Sequence, residues 1–394
     1  MKPHRHTLPS IAFPILLVAG VVGLVVTRRE EEANPAKLPE DLTEALKKAR
    51  LSETVAVLNG AGAHGLNPQE YMAGDARDGL LQYANHRRFG RKNPGTYGKP
   101  GTLSADELAA FTDDPRGIEA GLHKLDPPFA EYRRLEAALA KAEPEQRALI
   151  EQAMEQWRWM PHSFPHGAIL VNIPEFRLQA LDENNQTALE MRVIVGQTKH
   201  QTPVFTGNLK YVVFGPFWYV PTSILKNEII PDIEKNRNYL TRNAYQVLDA
   251  QGQAMADEEV TDEVLAGLKS GEFRVRQSPG AKNALGHVKF MFPNQDNIYL
   301  HDTPNHRLFA KERRDLSHGC VRVEDPQALA EWVLRDEPAW TKERITAGLK
   351  QNKQQQANLK EAIPVFMLYN PVTVGEDGEV HYWKDLYKRA AAAE

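Results

Sequence analysis

The sequence predicts an α+β chain: a membrane helix, then a helical domain, then a mainly-β domain. Three observations carry this. Leu8 to Thr27 is a twenty-residue run without a charge. From about Pro39 to Trp159 the apolar pattern is helical. At Ala168 it changes to short β-friendly runs separated by turn residues. The expected units are an anchor and linker over 1–37, a helical domain over 38–160 and a β domain over 161–375. The β domain carries an insertion at about 222–286, and a C-terminal segment covers 376–394.

The first run matches a bilayer in length, since about twenty helical residues span the ~30 Å hydrocarbon core. No small-x-small cleavage site follows it, which favours a retained anchor over a removed signal peptide. Lys2 and Arg5 precede the run and Arg28 and Arg29 follow it, so flanking charge does not orient it. Glu30 to Lys37 reads as a charged linker.

In the helical region, Asp41 to Leu46 opens one helix and Asp75 to Phe89 forms another. Ser104-Ala105-Asp106-Glu107 has the pattern of a capping box. A long helix from about Pro127 is interrupted near Pro144 and resumes to Trp159. Strands are expected at 168–173, 176–181, 191–196, 211–214, 287–292, 297–301 and 364–368. The stretch from Thr222 to Gly286 has helical signs at 223–235 and 258–268. It is too long for a passive loop, and such insertions are often lids or binding elements. Asp325-Pro326 reads as the N-cap and first residue of a further helix.

Forty-eight basic and 52 acidic side chains leave a formal net charge of -4, which argues against nucleic-acid binding. One cysteine excludes an intramolecular disulfide and any multi-cysteine metal site. The 13 histidines form no His-Glu-x-x-His pattern, and Pro165 separates His162 from His166. No metal or cofactor is expected.

The lone cysteine lies in Ser317-His318-Gly319-Cys320-Val321-Arg322, and His301 stands nineteen residues upstream. A neighbouring imidazole that draws off the thiol proton, with local dipoles that lower its pKa, turns a cysteine into a nucleophile. Alternation along 297–301 places Tyr299 and His301 on one face, and Ile298 and Leu300 on the core side. Asp302 then points away, so a backbone carbonyl is the expected partner of the second ring nitrogen. Gly319 permits a close backbone approach, and the N–H groups of Gly319 and Cys320 are candidates for an oxyanion hole. Arg322 suits a carboxylate-bearing substrate.

These residues resemble the signature of the L,D-transpeptidases, cysteine enzymes of bacterial cell-wall synthesis. The resemblance extends over about Gln156 to Tyr387. It includes Trp157-Arg158-Trp159-Met160-Pro161, Trp218-Tyr219-Val220-Pro221, Asn283-Ala284-Leu285-Gly286 and Tyr299-Leu300-His301-Asp302-Thr303-Pro304. It is closest to the large, scaffold-bearing Gram-negative type, and His64-Gly65-Leu66-Asn67-Pro68 is similar to part of that scaffold. Two departures stand out. There is no obvious room for a separate peptidoglycan-binding insertion, and Ala281 stands where relatives often have proline.

The resemblance implies Cys320 as nucleophile, His301 as general base and His318 as support for the cysteine. Tyr299, Arg322, Ser317 and Trp218 would contact substrate, and the insertion would be a capping subdomain. The implied partners are peptidoglycan stem peptides. The implied activity is 3→3 cross-linking with release of D-alanine from a tetrapeptide donor, in the periplasm, with acylation by carbapenems. The same Cys-His site could serve an L,D-carboxypeptidase or endopeptidase, or persist in a non-catalytic cell-wall scaffold.

Overall fold

The computed structural model describes residues 51–255 and 260–389. The expected anchor at 8–27, the linker and the helix at 41–46 lie outside these. Among the described residues no helix is long and apolar enough to cross a membrane.

Five helices make up most of the N-terminal half: α1 (Leu51–Asn59), α2 (Ala76–Phe89), α3 (Ala105–Thr112), α4 (Ala130–Leu139) and α5 (Pro144–Arg158). Their starts follow local chemistry. Asp75 accepts from Arg77 N at 2.8 Å, and Ser104 and Glu107 form a reciprocal capping box. Pro144 opens α5, where its missing N–H costs nothing. The segment His64-Gly65-Leu66-Asn67-Pro68 is a helix stop and restart. Gly65 takes φ +69°, Asn67 caps the next turn, and Pro68 begins it. Arg158, buried at the end of α5, donates to His64 O at 2.5 Å and to Tyr132 Oη at 2.9 Å. That anchors the turn to the helix pair α4–α5.

The β domain is a nine-stranded sheet. Its strands are β1 (Ala168–Asn172), β2 (Arg177–Leu181), β3 (Thr187–Gly196), β4 (Phe205–Phe214), β8 (Val288–Met291), β9 (Leu300–His301), β10 (Asp315–Ser317), β11 (Val321–Val323) and β12 (Gln355–Leu368). Between β4 and β8 the chain inserts β5 (Trp218–Tyr219), β6 (Tyr245–Leu248) and β7 (Arg274–Gln277), which form a separate sheet. The large sheet runs β10-β3-β11-β9-β8-β4-β12-β1-β2, and β2 also pairs with β3, so its two ends meet. Val171, Val193, Phe290, Leu300, Val321 and Val365 fill one core with side chains from two further helices, Pro326–Val333 and Lys342–Lys350. Asp325 caps the first of these through Ala328 N at 2.9 Å, and Pro326 follows it.

A second core joins the halves. Tyr132, Leu135 and Trp157 from α4 and α5 pack with Leu170, Phe366 and Leu368 of the sheet. The helical region is therefore built onto the β domain and is not merely tethered to it. The segment past residue 375 also belongs to this body. Val372–Val374 pairs with Val380–Tyr382, and Tyr387 donates to Gly196 O at 2.5 Å from within the core. The expected break at 375 thus cuts through a hairpin.

The insertion has its own core of Leu225, Ile229, Ile233, Leu240, Leu268 and Val275. Its first helical stretch contains one widened π turn, Leu225–Ile229, just before Pro231. Proline lacks the N–H and crowds the carbonyl four residues back, which favours such a turn.

One strand is shorter than expected. The run 297–301 pairs only at Leu300–His301, because Asn297 takes φ +55°. The Asn294 side chain bonds Ile298 N and Ile298 O and holds residues 294–298 as a turn. At the other end of β9, Gly286 takes φ +59°, and a Cβ there would lie 2.3 Å from the Asp302 carboxylate. That carboxylate accepts from His287 N at 2.8 Å and Thr303 N at 2.6 Å. Gly286→Ala should lower stability by ~1–3 kcal/mol through combined strain and crowding. Chemical unfolding against wild type checks this, and an unchanged midpoint would contradict it.

Candidate active site

Three neighbouring strands place the reactive groups. On β9, His301 is in register with Lys289 of β8 on one side and with Arg322 of β11 on the other. In-register neighbours project from the same face of a sheet. The row is bounded by apolar residues, since Lys289 also pairs with Val213 and Arg322 with Ile194. Tyr299 precedes His301 by two residues, and Cys320 precedes Arg322 by two. The Tyr299 and His301 rings lie edge to face, with centroids 5.7 Å apart.

β3 holds both arms of the cysteine turn. Ser317 of β10 pairs with Gly196, and Arg322 of β11 with Ile194. Inside the turn, Ser317 Oγ donates to Cys320 O at 2.6 Å and accepts from Gly319 N at 3.1 Å. Thr202 Oγ1 donates to Gly319 O at 2.7 Å. Gly319 sits at φ +113°, a conformation that other residues rarely adopt.

His301 is buried, and its Nδ1 lies 2.5 Å from Asp302 O. A carbonyl only accepts, so Nδ1 carries the proton and Nε2 has the free lone pair. Burial pushes the imidazole pKa down to about 3; Arg322 and Lys289 add to the depression, and the Asp302 carbonyl opposes it. The ring is neutral at physiological pH.

Burial also pushes the Cys320 thiol up, although Tyr299, Lys289 and Arg322 pull the other way. The resting pair is thus thiol and imidazole, not thiolate and imidazolium. This corrects the expectation of a depressed thiol pKa: the site desolvates the sulfur more strongly than its dipoles stabilise the anion.

The Cys320 sulfur lies 3.7 Å from Asn297 O, and the Tyr299 phenol, which also feels the Trp218 side chain, is coupled electrostatically to the thiol. Burial raises the Tyr299 pKa well above its ordinary value, so the phenol keeps its proton. Arg322 is largely buried, and its Nε has no hydrogen-bond partner.

Three expected roles change. Ser317 is buried, with both bonds of its hydroxyl inside the turn, so it shapes the loop and does not face substrate. The Gly319 N–H is taken by Ser317 and is not a free oxyanion donor, which leaves that of Cys320. His318 faces the insertion. Its Nε2 lies 2.6 Å from Glu228 Oε1 on the π turn, and its ring packs on His200 at 4.8 Å between centroids. These contacts tie the insertion to the cysteine turn and give His318 no bond to the sulfur.

Residues 166–346 match the family model described as YkuD, L,D-transpeptidase catalytic domain. This region is thus similar to an L,D-transpeptidase catalytic domain. A Haemophilus influenzae protein provisionally named an L,D-transpeptidase is 37% identical over 222 residues, which is 56% of this chain and 44% of that relative. The chain therefore spans less than half the length of that curated relative. An L,D-transpeptidase from Mycobacterium smegmatis aligns over 52% of this chain and 58% of its own, at 10% identity and a TM-score of 0.26. Mycobacterium tuberculosis L,D-transpeptidase 1 aligns over 52% and 61%, at 10% identity and a TM-score of 0.23. Superpositions this loose carry no argument about the site.

Within this region, sequence reasoning missed Lys289, Glu228, His200 and Thr202. Lys289 lies between the core residues Val288 and Phe290 on a strand, a weak signal that only register turns into a site residue. A cleft of about 810 Å³ lined by Trp157, Glu175, Arg177, Glu190 and Trp383 does not include the cysteine or His301. Among the described residues, His64, Asp126 and Glu136 have metal-like spacing. However, Arg87 already pairs with Asp126 and with the neighbouring Glu119.

Iodoacetamide alkylation of Cys320 against pH should rise through a midpoint above the ~8.5 of a free thiol. A plateau reaching down to pH 5–6 would show a preformed ion pair and contradict the neutral resting state.

Proposed function

We propose that the chain is a cysteine-dependent L,D-transpeptidase that forms 3→3 peptidoglycan cross-links. The observation that carries this reading is a neutral His301, proton on Nδ1, in register with Arg322, which follows Cys320 by two residues and has no partner for its Nε among the described residues. In the first step, the Cys320 sulfur attacks the carbonyl of the third residue of a tetrapeptide stem while His301 Nε2 takes the thiol proton. The tetrahedral intermediate collapses, the bond to D-alanine breaks, and the imidazolium returns that proton to the leaving amine. In the second step, a side-chain amine of another stem attacks the thioester with His301 again the base; the C–S bond breaks and the imidazolium returns the proton to the Cys320 sulfur.

Negative charge develops on the carbonyl oxygen in both steps. The Cys320 N–H and the Tyr299 O–H are its candidate donors, and one such donor is worth ~2.7–4 kcal/mol. Arg322 would take a substrate carboxylate; burial without a partner makes that pairing favourable. The insertion would act as a cap, joined to the site through Trp218–Tyr299 and Glu228–His318. Water exclusion beneath it would favour the amine over hydrolysis. The apolar run at 8–27 supports a membrane anchor, and the cell-wall chemistry would place the bulk of the chain outside the cytoplasm.

Three outcomes are expected. Intact-mass spectrometry with a carbapenem should give a covalent adduct on wild type and none on Cys320→Ala. His301→Gln should slow acylation by ~10²–10⁴-fold, the usual worth of a general base. With tetrapeptide stems as both donor and acceptor, the product should be a 3→3 dimer. Tripeptide alone, with abundant acceptor, would make the enzyme an L,D-carboxypeptidase instead.

A further inference from the structure

Lys289 has no place in the reaction described so far. It stands directly opposite His301 in the antiparallel β8–β9 pair. Its ammonium lies 5.6 Å from the centroid of the Tyr299 ring, whose phenol is coupled electrostatically to Cys320. The groups packed around it offer no anion. Val213 is its partner on β4, His301 its partner on β9, and the next position in the row is Arg322. The nearest carboxylate in sequence to His301, that of Asp302, is bound to His287 N and Thr303 N. Glu228 is held by His318. No ion pair engages Lys289 among the described residues. A half-buried lysine without a carboxylate costs stability, and here it is placed where negative charge must form.

We propose that Lys289 is a positioning residue of the reaction, which by its charge further disfavours imidazolium at His301 and favours anion formation at Cys320. A cation near His301 disfavours imidazolium, and near Cys320 it favours thiolate. Both pKa values are therefore held lower than burial and the other groups alone would set. The electrostatic effect on the two groups is consistent in sign with their depression by Lys289. The bland alternative is a structural lysine that only packs its stem and caps the Tyr299 ring. That role would be lost on substitution without moving either titration. The proposal rests on Cys320 being the nucleophile, but its test needs no turnover, so it can fail or stand apart from the cross-linking reaction.

The experiment compares Lys289→Met, which keeps the stem and removes the charge, with Lys289→Arg, which keeps the charge. Iodoacetamide alkylation reports Cys320, and side-chain NMR reports His301. In Lys289→Met both midpoints should rise, by about one pH unit, the order of a single nearby charge. In Lys289→Arg both should stay near wild type. Unmoved midpoints in Lys289→Met, or the same rise in Lys289→Arg, would overturn the proposal. Should Lys289→Met fail to fold, the coupling can be read from the other side in Cys320→Ala. Loss of the thiolate should lower the Lys289 ammonium pKa measured by NMR, and an unchanged value would be equally decisive against it.

Discussion

His301 stands buried between two cations in the sheet, and burial first, with those cations adding to it, keeps its ring neutral. The row Lys289–His301–Arg322 exists because β8, β9 and β11 are neighbours with one register. A one-residue slip of β9 would turn His301 to the other face and bring Leu300 into its place. The apolar ends of the row, Val213 and Ile194, supply no counter-charge. At rest the candidate site therefore holds a neutral imidazole, a neutral thiol and two cations without carboxylate partners among the described residues. That combination suits a reaction in which negative charge arrives with the substrate and grows during attack.

Much of the rest of the β domain serves this arrangement. β3 grips both arms of the cysteine turn, Ser317 fastens the turn from inside, and Thr202 holds its Gly319 carbonyl. Asp302 fixes the end of β9 through two backbone N–H groups while its carbonyl sets the His301 tautomer. The close contact at Gly286 shows how little room that carboxylate has. The helical region adds rigidity at a distance, since α4 and α5 share a core with β1 and β12 on the far side of the sheet order from β9. The insertion touches the site through two named contacts, one at the Tyr299 hydroxyl and one at His318.

The candidate pair, Cys320 and His301, was legible in the sequence because its signal is local. A lone cysteine in Ser-His-Gly-Cys-Val-Arg, with a histidine on a strand upstream, needs no tertiary information to read. Alternation also placed Tyr299 with His301 and turned Asp302 away, which left a backbone carbonyl as the ring's partner, as the structure has it. Helix starts at Asp75, Ser104, Pro144 and Asp325 were legible for the same reason, since each is set by a cap within a few residues. What could not be read depends on long-range pairing or on burial. Lys289 becomes a site residue only through a strand register, and Glu228 only through the fold of the insertion. The thiol was expected to be depressed by its neighbours. Desolvation, which no motif encodes, outweighs them. The turn at 294–298 shortened β9 because one asparagine side chain competed for the backbone.

The most direct test is to trap the first step with the natural type of donor. Wild-type protein mixed with a tetrapeptide stem and quenched in acid should carry a tripeptidyl thioester on Cys320, with one D-alanine released per thioester formed. A chase with a second stem should discharge it as a cross-linked dimer. Release of D-alanine by Cys320→Ala at the wild-type rate would contradict the mechanism, as would wild-type turnover with no acyl-enzyme at any quench time even when acceptor is withheld.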